Sequence, residues 1–167
     1  MERTDDVRVR ARRRDDMAAC ADALARVHAE DGYPTNWPAD PAGWLRVDGM
    51  TAAWVAEAGE RIVGHVALSA PGAGDVAPAL TTGSATVVGR LFVAPEARGR
   101  RVGAALLARA AREAARLGTR AVLDVVTTDA AAVALYERLG WEFLGAGQQA
   151  WGPDELVAVR CYAAPPA

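Results

Sequence analysis

Leu91-Phe92-Val93-Ala94-Pro95-Glu96-Ala97-Arg98-Gly99-Arg100-Arg101-Val102-Gly103-Ala104-Ala105-Leu106-Leu107 is an apolar run that stops at a proline and crosses a short arginine- and glycine-bearing loop. It then resumes as an alanine- and leucine-rich amphipathic segment. The pattern predicts a strand, a turn and a helix. A strand feeding a glycine-containing turn at a helix start gathers free backbone N–H groups, and the positive end of the helix dipole, at one point. Such a point binds anions, most often a phosphate or pyrophosphate. Arg98, Arg100 and Arg101 add positive charge and bidentate donors beside it. The expectation is a phosphorylated ligand gripped at this turn.

Outward from that stretch, the helix extends from Val102 to Leu117. Arg109, Arg112, Glu113 and Arg116 lie on one side, Val102, Leu106, Leu107, Ala110 and Ala114 mostly on another, and Gly118 closes it. Upstream, Ala85–Val93 reads as the strand that enters the turn. Thr51–Glu57 and Arg61–Ser69 are β-rich runs joined around Gly59, a hairpin. Pro71 to Gly83 is rich in Gly, Pro and Ala and reads as a mobile loop. Val7 to Arg12 alternates with period two, a half-exposed strand with its arginines on one solvated face. Asp15 and Asp16 can cap a helix through about Ala29, with Cys20, Leu24 and Val27 or His28 facing inward. Gly32 to Trp37 is irregular, and Asp40-Pro41 opens a short helix with Trp44 and Leu45. Downstream, Ala121–Val126 is a strand, Ala130 to Leu139 a helix stopped by Gly140, and Trp141–Leu144 the start of another strand. The chain turns back at Gly152-Pro153-Asp154 into a last strand, Leu156–Tyr162. The order is β-α-α-β-β-β-α-β-α-β-β. It implies an α/β fold with a mixed sheet of six to seven strands flanked by about four helices.

The 167 residues suit a single domain spanning 1–167. A net charge of −2 argues against a dedicated nucleic-acid binder. The Arg8, Arg10, Arg12, Arg13 and Arg14 cluster is flanked by Asp5, Asp6, Asp15 and Asp16, which argues the same way. No apolar run approaches membrane-spanning length, and the arginine-rich start lacks the apolar core of a secretory signal. Cys20 and Cys161 fit no metal or redox spacing, so they read as ordinary thiols in a reducing cytoplasm, with no metal. All nineteen basic residues are arginine. Without lysine, Schiff-base catalysis and a GxxxxGK[ST] phosphate loop are excluded.

Two segments in this order resemble the GNAT superfamily of acetyl-CoA-dependent N-acetyltransferases, over nearly the whole chain. Arg98-Gly99-Arg100-Arg101-Val102-Gly103 is similar to the family's [QR]-x-x-G-x-[GA] pyrophosphate loop, with Arg101 where the pattern has glycine. Arg101 is expected to keep ordinary helical angles and lend its N–H as glycine would. Thr128 to Trp141 is similar to the segment N-x-x-A-x-x-L-Y-E-x-L-G-F, with Asp129 for asparagine and Trp141 for phenylalanine. The resemblance implies an acetyl-CoA site built from Leu91, Phe92, Val93, Arg98, Gly99, Arg100, Arg101, Val102, Gly103, Ala104 and Asp129. It implies that Tyr136 lies near the CoA sulfur and protonates the departing thiolate. Asp129 keeps the helix cap while losing the amide donor of asparagine. An N–H near Val93, where strands four and five splay apart, is the candidate for polarising the thioester carbonyl.

The general base stays open. Ala85–Val93 contains no carboxylate, where many relatives carry a glutamate. His65 has a suitable intrinsic pKa, although a lone histidine amid Val63, Val66 and Leu68 reads first as a structural residue. Asp124 either lines the acceptor cleft or is a hydrogen-bonded strand residue. His28 is weaker, and the amine can also lose its proton to solvent. In the family the first two helices and their connection form the acceptor wall. Tyr33, Trp37 and Trp44 therefore either build an apolar slot for a small amine or pin the short helix to the core. Glu30 and Asp31 either attract a cationic amine or solvate the helix end. The resemblance thus implies a cytoplasmic N-acetyltransferase acting on a primary amine, a small molecule rather than a protein. The alternative is a GNAT fold that binds acetyl-CoA or CoA as a sensor without transfer. Sheet edges at the last strands could pair across a two-fold into a homodimer.

Overall fold

The computed structural model describes residues 6–166, so Asp5 and the two ends of the expected 1–167 domain lie outside the described residues. Seven strands form one sheet in the order β1-β2-β3-β4-β5-β7-β6: β1 Val7–Ala11, β2 Met50–Ala58, β3 Arg61–Ser69, β4 Ala85–Val93, β5 Arg120–Val126, β6 Glu142–Gly152 and β7 Glu155–Ala163. β4 and β5 run parallel and every other neighbouring pair is antiparallel. The parallel pair needs a crossover, which α4 (Val102–Arg116) supplies. α1 (Met17–Asp31) and α2 (Pro41–Trp44) lie between β1 and β2, α3 (Ala77–Leu80) between β3 and β4, and α5 (Ala130–Arg138) between β5 and β6. Element for element this is the expected order, with α3 added.

Helices cover both faces because the strands bury both sets of alternating side chains. α4 lays Val102, Leu106, Leu107, Ala110 and Ala114 onto Val63, Val66, Val88 and Leu123, the apolar stripe its periodicity specifies. α1 buries Cys20, Ala23, Leu24 and Val27 on the opposite face, against Val55, Ile62 and Phe92. Gly64 permits the closest approach: a Cβ there would stand 3.0 Å from Leu106 Cδ1 and 3.1 Å from Val102 Cγ1. The first turn of α4 is thereby pressed against β3.

Two local departures shape the centre of the sheet. β4 pairs with β5 only over Ala85–Val87 against Arg120–Val122, after which β4 bonds only β3 and β5 only β7. The strands therefore part, leaving a V-shaped opening. β4 also carries a bulge, since His65 faces Phe92 while Ala67 faces Gly89, so that Arg90 and Leu91 together oppose Val66. The bulge places Arg90 at φ 53, a left-handed conformation unusual for a residue with a side chain.

The Pro71–Gly83 segment is not simply a loop. Val76 and Ala77 open the one-turn α3, and their N–H groups donate to the two oxygens of the Asp124 carboxylate, each at 2.8 Å. Gln149 Nε2 donates to the same carboxylate at 2.8 Å. β6 makes room with glycine: a Cβ on Gly147 would lie 2.5 Å from Val76 Cγ1. β6 accordingly extends through Gly152, well past the expected start at Trp141–Leu144. Asp124→Ala leaves these donors without their acceptor. It is expected to lower stability by about 2 kcal/mol and to speed hydrogen exchange over residues 71–83, read by denaturation and exchange mass spectrometry.

Two other expectations change. Asp16 stands at the N-cap of α1, but its carboxylate turns back to Arg10 Nη1 and Nη2, at 2.8 and 2.9 Å, and to the Arg13 N–H. The arginines of Val7 to Arg12 do not share a solvated face: Arg8 is exposed, Arg10 also binds Glu57, and Arg12, just past β1, reaches into the sheet. Register, and not alternation alone, brings them to these partners.

Candidate functional site

The turn between β4 and α4 has the predicted anatomy. Ala94 N–H bonds the Val63 carbonyl on β3, so strand alternation turns the N–H and C=O of Val93 the other way, to the side β5 has left. The first α4 bond runs from Ala105 N–H to Arg101 O, and no side chain caps the helix. The N–H groups of Val102, Gly103 and Ala104 are therefore the orphan donors of a helix start, a natural anion seat. Gly103 lies between Leu135 Cδ2 and Val93 Cγ2 (3.5 and 3.7 Å from a built Cβ), joining α4 to α5 and β4.

Arg101 does not keep helical angles. It sits at φ 61, ψ 26, in the left-handed region, with Gly99 at φ 79 two residues earlier. The expectation fails because Arg101 is the N-cap, outside the helix that starts at Val102, and an N-cap typically does not adopt helical angles. A side chain there costs about 1 kcal/mol relative to glycine, so Arg101→Gly is expected to raise the unfolding free energy by about that amount in urea titrations. The three arginines also differ in environment. Arg98 pairs with Asp31 at the end of α1 and donates to the Val93 carbonyl at 3.3 Å, while Arg100 and Arg101 are exposed.

Across the opening, Asp129 caps α5 by accepting from Ala132 N–H at 3.1 Å. About two helical turns further, Tyr136 packs its ring against Trp141 and Tyr162 and is 7 % exposed. Among the described residues no polar side-chain atom is both sealed from solvent and unpartnered, and the Tyr136 and Tyr33 hydroxyls have no hydrogen-bond partner there. Both hydroxyls therefore open onto accessible space. Burial raises the Tyr136 hydroxyl well above the usual phenol range, reinforced by Tyr33 and Asp129. Burial likewise pushes Tyr33 up to about 12. Both stay protonated at neutral pH.

The base candidates are otherwise engaged. His65 is fully buried and stacked on Phe92 with ring centroids 5.3 Å apart. Its Nδ1 lies 2.9 Å from the Arg90 carbonyl and its Nε2 lies 3.0 Å from Arg12 Nη1. A carbonyl only accepts and a guanidinium only donates, so the imidazole is neutral with its proton on Nδ1. Burial first, then the cations Arg12 and Arg90, push its pKa down to about 4. Asp124 is spent on α3. His28 Nδ1 faces the Pro34 carbonyl at 2.8 Å, beside Trp37. Cys20 and Cys161 are buried free thiols, pushed up to about 11 and 12, chiefly by burial.

The α1–α2 connection stands over the β4 bulge. Tyr33 and Trp44 meet edge to face at 6.0 Å and pack with Phe92, so they pin α2 and form a wall at once. Glu30 is exposed, and Asp31 is held by Arg98. Arg90 escaped the sequence reading. Its signal was available, as the one charged side chain within the apolar run Ala85–Val93. Two surface hollows, of about 370 and 420 Å³, lie elsewhere, beside Asp22 and Arg61 and beside Arg112 and Pro165.

The sequence profile of the acetyltransferase (GNAT) family matches residues 17–141, which spans α1, the bulged and splayed strands, the uncapped helix start and the tyrosine helix. The chain belongs to that family. Solved GNAT structures share its fold along nearly their whole length. The ribosomal-protein-S18-alanine N-acetyltransferase from Escherichia coli superposes with a TM-score of 0.69 at 17% identity, covering 96% of this chain and 94% of that one. Arabidopsis thaliana NAA60, in complex with acetyl-CoA, gives 0.69 at 15% identity, covering 95% and 98%. The yncA protein from Salmonella typhimurium, an acetyltransferase solved with acetyl-CoA, gives 0.67 at 18%, covering 94% and 92%. A search of curated proteins found none that matches this GNAT chain. Among the described residues no helix is long and apolar enough to cross a membrane.

Proposed function

We propose that this protein transfers the acetyl group of acetyl-CoA to a primary amine on a small molecule, by direct attack in a ternary complex. The observation that carries the reading is the V-shaped opening between β4 and β5. The uncapped N–H groups of α4 flank it, as does the open hydroxyl of Tyr136. The diphosphate of CoA lies on the N–H groups of Val102, Gly103 and Ala104, with Arg100 and Arg101 supplying charge. The pantetheine arm runs along the free edge of Leu91–Val93 towards Asp129. The Val93 N–H donates to the thioester oxygen as negative charge gathers on it.

The amine lone pair attacks the thioester carbon, a C–N bond forms, and the C–S bond breaks as the tetrahedral intermediate collapses. The departing thiolate takes the Tyr136 proton. The proton lost by the amine goes to water, since His65 and Asp124 are both committed to structural hydrogen bonds. Tyr136 recovers its proton from solvent.

One observation favours a second reading, a CoA-binding sensor: no carboxylate stands on β4 to accept the amine proton. Calorimetry with acetyl-CoA, followed by a thiol-release assay over an amine panel, separates the two. Binding with release of CoA supports transfer, binding with no release on any amine supports the sensor, and the absence of binding removes both.

A further inference from the structure

Arg90 is built into the acceptor wall at some cost. Its backbone is left-handed at the β4 bulge, its carbonyl is held by His65 Nδ1, and its Nε donates to the Trp44 carbonyl at 2.9 Å. Its guanidinium carbon lies 3.9 Å from the centroid of the Trp44 ring. β3 and β4 thus fix the backbone of this residue, and Trp44 of α2 fixes its side chain. A strained non-glycine residue held so firmly is a reason to ask what it serves.

The charge has no counterpart. Most other half-buried arginines have carboxylate partners: Arg10 has Asp16 and Glu57, Arg26 has Glu96, Arg120 has Glu142 and Arg160 has Glu137, while Arg12, which has none, spends its terminal nitrogens on the Leu45 carbonyl, His65 Nε2 and Met50 Sδ. Among the described residues Arg90 has none, and its hydrogen bonding ends with Nε on a carbonyl. Its two terminal nitrogens are neither partnered nor sealed, so they face accessible space beside Tyr33 and Trp44. Burial already disfavours the charged form. A guanidinium held over an indole with its terminal nitrogens open is suited to a planar oxyanion.

We propose that the acceptor is a free amino acid whose carboxylate is received by the fork of Arg90. This deepens the transferase reading and rests on it. Tyr33 and Trp44 contact the apolar part of such an acceptor, and the carboxylate on Arg90 turns the amino group towards the β4–β5 opening. A peptide N-terminus lacks that carboxylate, its place being taken by an amide, so protein acceptors are disfavoured by the same geometry. A fixed cation at this wall likewise disfavours polyamines.

The test compares, with acetyl-CoA, the common free amino acids, their amides, their decarboxylated amines and dipeptides beginning with the same residue. The expected result is a kcat/KM at least about 10-fold higher for the amino acid than for its amide, within the 10- to 100-fold range of a charge-assisted bidentate contact. Arg90→Gln collapses that ratio towards one, and Arg90→Lys, which keeps the charge but not the fork, falls between. Amides or dipeptides turned over as well as free amino acids overturn the inference while leaving the transferase reading intact. A ratio unmoved in a folded Arg90→Gln protein does the same, whereas acetyl-CoA binding with transfer to no member of the panel overturns the inference and supports the sensor reading. Failure of wild-type protein to bind acetyl-CoA overturns the transferase reading, and this inference with it. The wild-type comparison needs no variant to fold.

Discussion

Replacing Tyr136 with phenylalanine is expected to lower kcat by about 10²- to 10⁴-fold, the usual contribution of a positioned general acid, and to leave acetyl-CoA affinity within about twofold. The size follows from what the hydroxyl does at the moment the C–S bond breaks. In the proposed mechanism the departing thiolate takes its proton from this hydroxyl, so the substitution removes the donor. Burial keeps the Tyr136 hydroxyl protonated at neutral pH, which is the form able to donate. Affinity is expected to be spared because, in the proposed complex, backbone groups of α4 and β4 hold the diphosphate and pantetheine, and the substitution does not touch them.

The same variant carries its own control for folding. The ring of Tyr136 packs on Trp141 at 6.0 Å and on Tyr162 at 5.8 Å, and phenylalanine keeps both contacts. The hydroxyl has no hydrogen-bond partner among the described residues, so deleting it strands no donor or acceptor. Stability is therefore expected to change by no more than about 0.5 kcal/mol. Steady-state kinetics, calorimetry with acetyl-CoA and a denaturation curve on one preparation check all three statements. Turnover within about twofold of the parent would remove Tyr136 from the chemistry.

What the sequence could and could not say divides along the range of the interactions involved. Elements set by local pattern were readable: the α4 stripe from Val102 to Ala114, the hairpin around Gly59, and the stop at Gly140 each depend on residues a few positions apart. The Asp129 cap was readable for the same reason. Arg101 misled because the intrinsic preference of a residue with a side chain runs against the left-handed angles it adopts. α3 was missed since one helical turn has no periodicity; it exists because Asp124, some fifty positions on, supplies the acceptors for its first N–H groups. The Arg12–His65–Arg90 chain crosses β1, β3 and β4, and only strand order and the β4 bulge bring those three side chains together.

That chain makes the protein acid-sensitive in a window that can be named. In the unfolded protein His65 titrates near its ordinary 6.5, whereas in the folded protein it is pushed down to about 4. The unfolded state therefore binds more protons between these values, and stability rises with pH across them. The contribution is fully present above about pH 6.5 and is lost as pH falls towards 4. The loss amounts to about 2 kcal/mol by pH 5 and about 3 kcal/mol by pH 4. The cause is specific: an imidazolium at this position would be desolvated, would stand between the guanidinium groups of Arg12 and Arg90, and would lose the acceptor that Arg12 now uses. Asp16, held below the usual carboxylate range chiefly by Arg10, adds a slope of the same sign at lower pH. The two are separated by difference. Urea unfolding of wild type and His65→Gln at pH 7, 6, 5 and 4 should give curves that converge as the pH falls, because glutamine has no proton to gain. Parallel curves across that range would mean that His65 is not held neutral by Arg12 and Arg90, and that the support of Arg90 by this imidazole is misassigned.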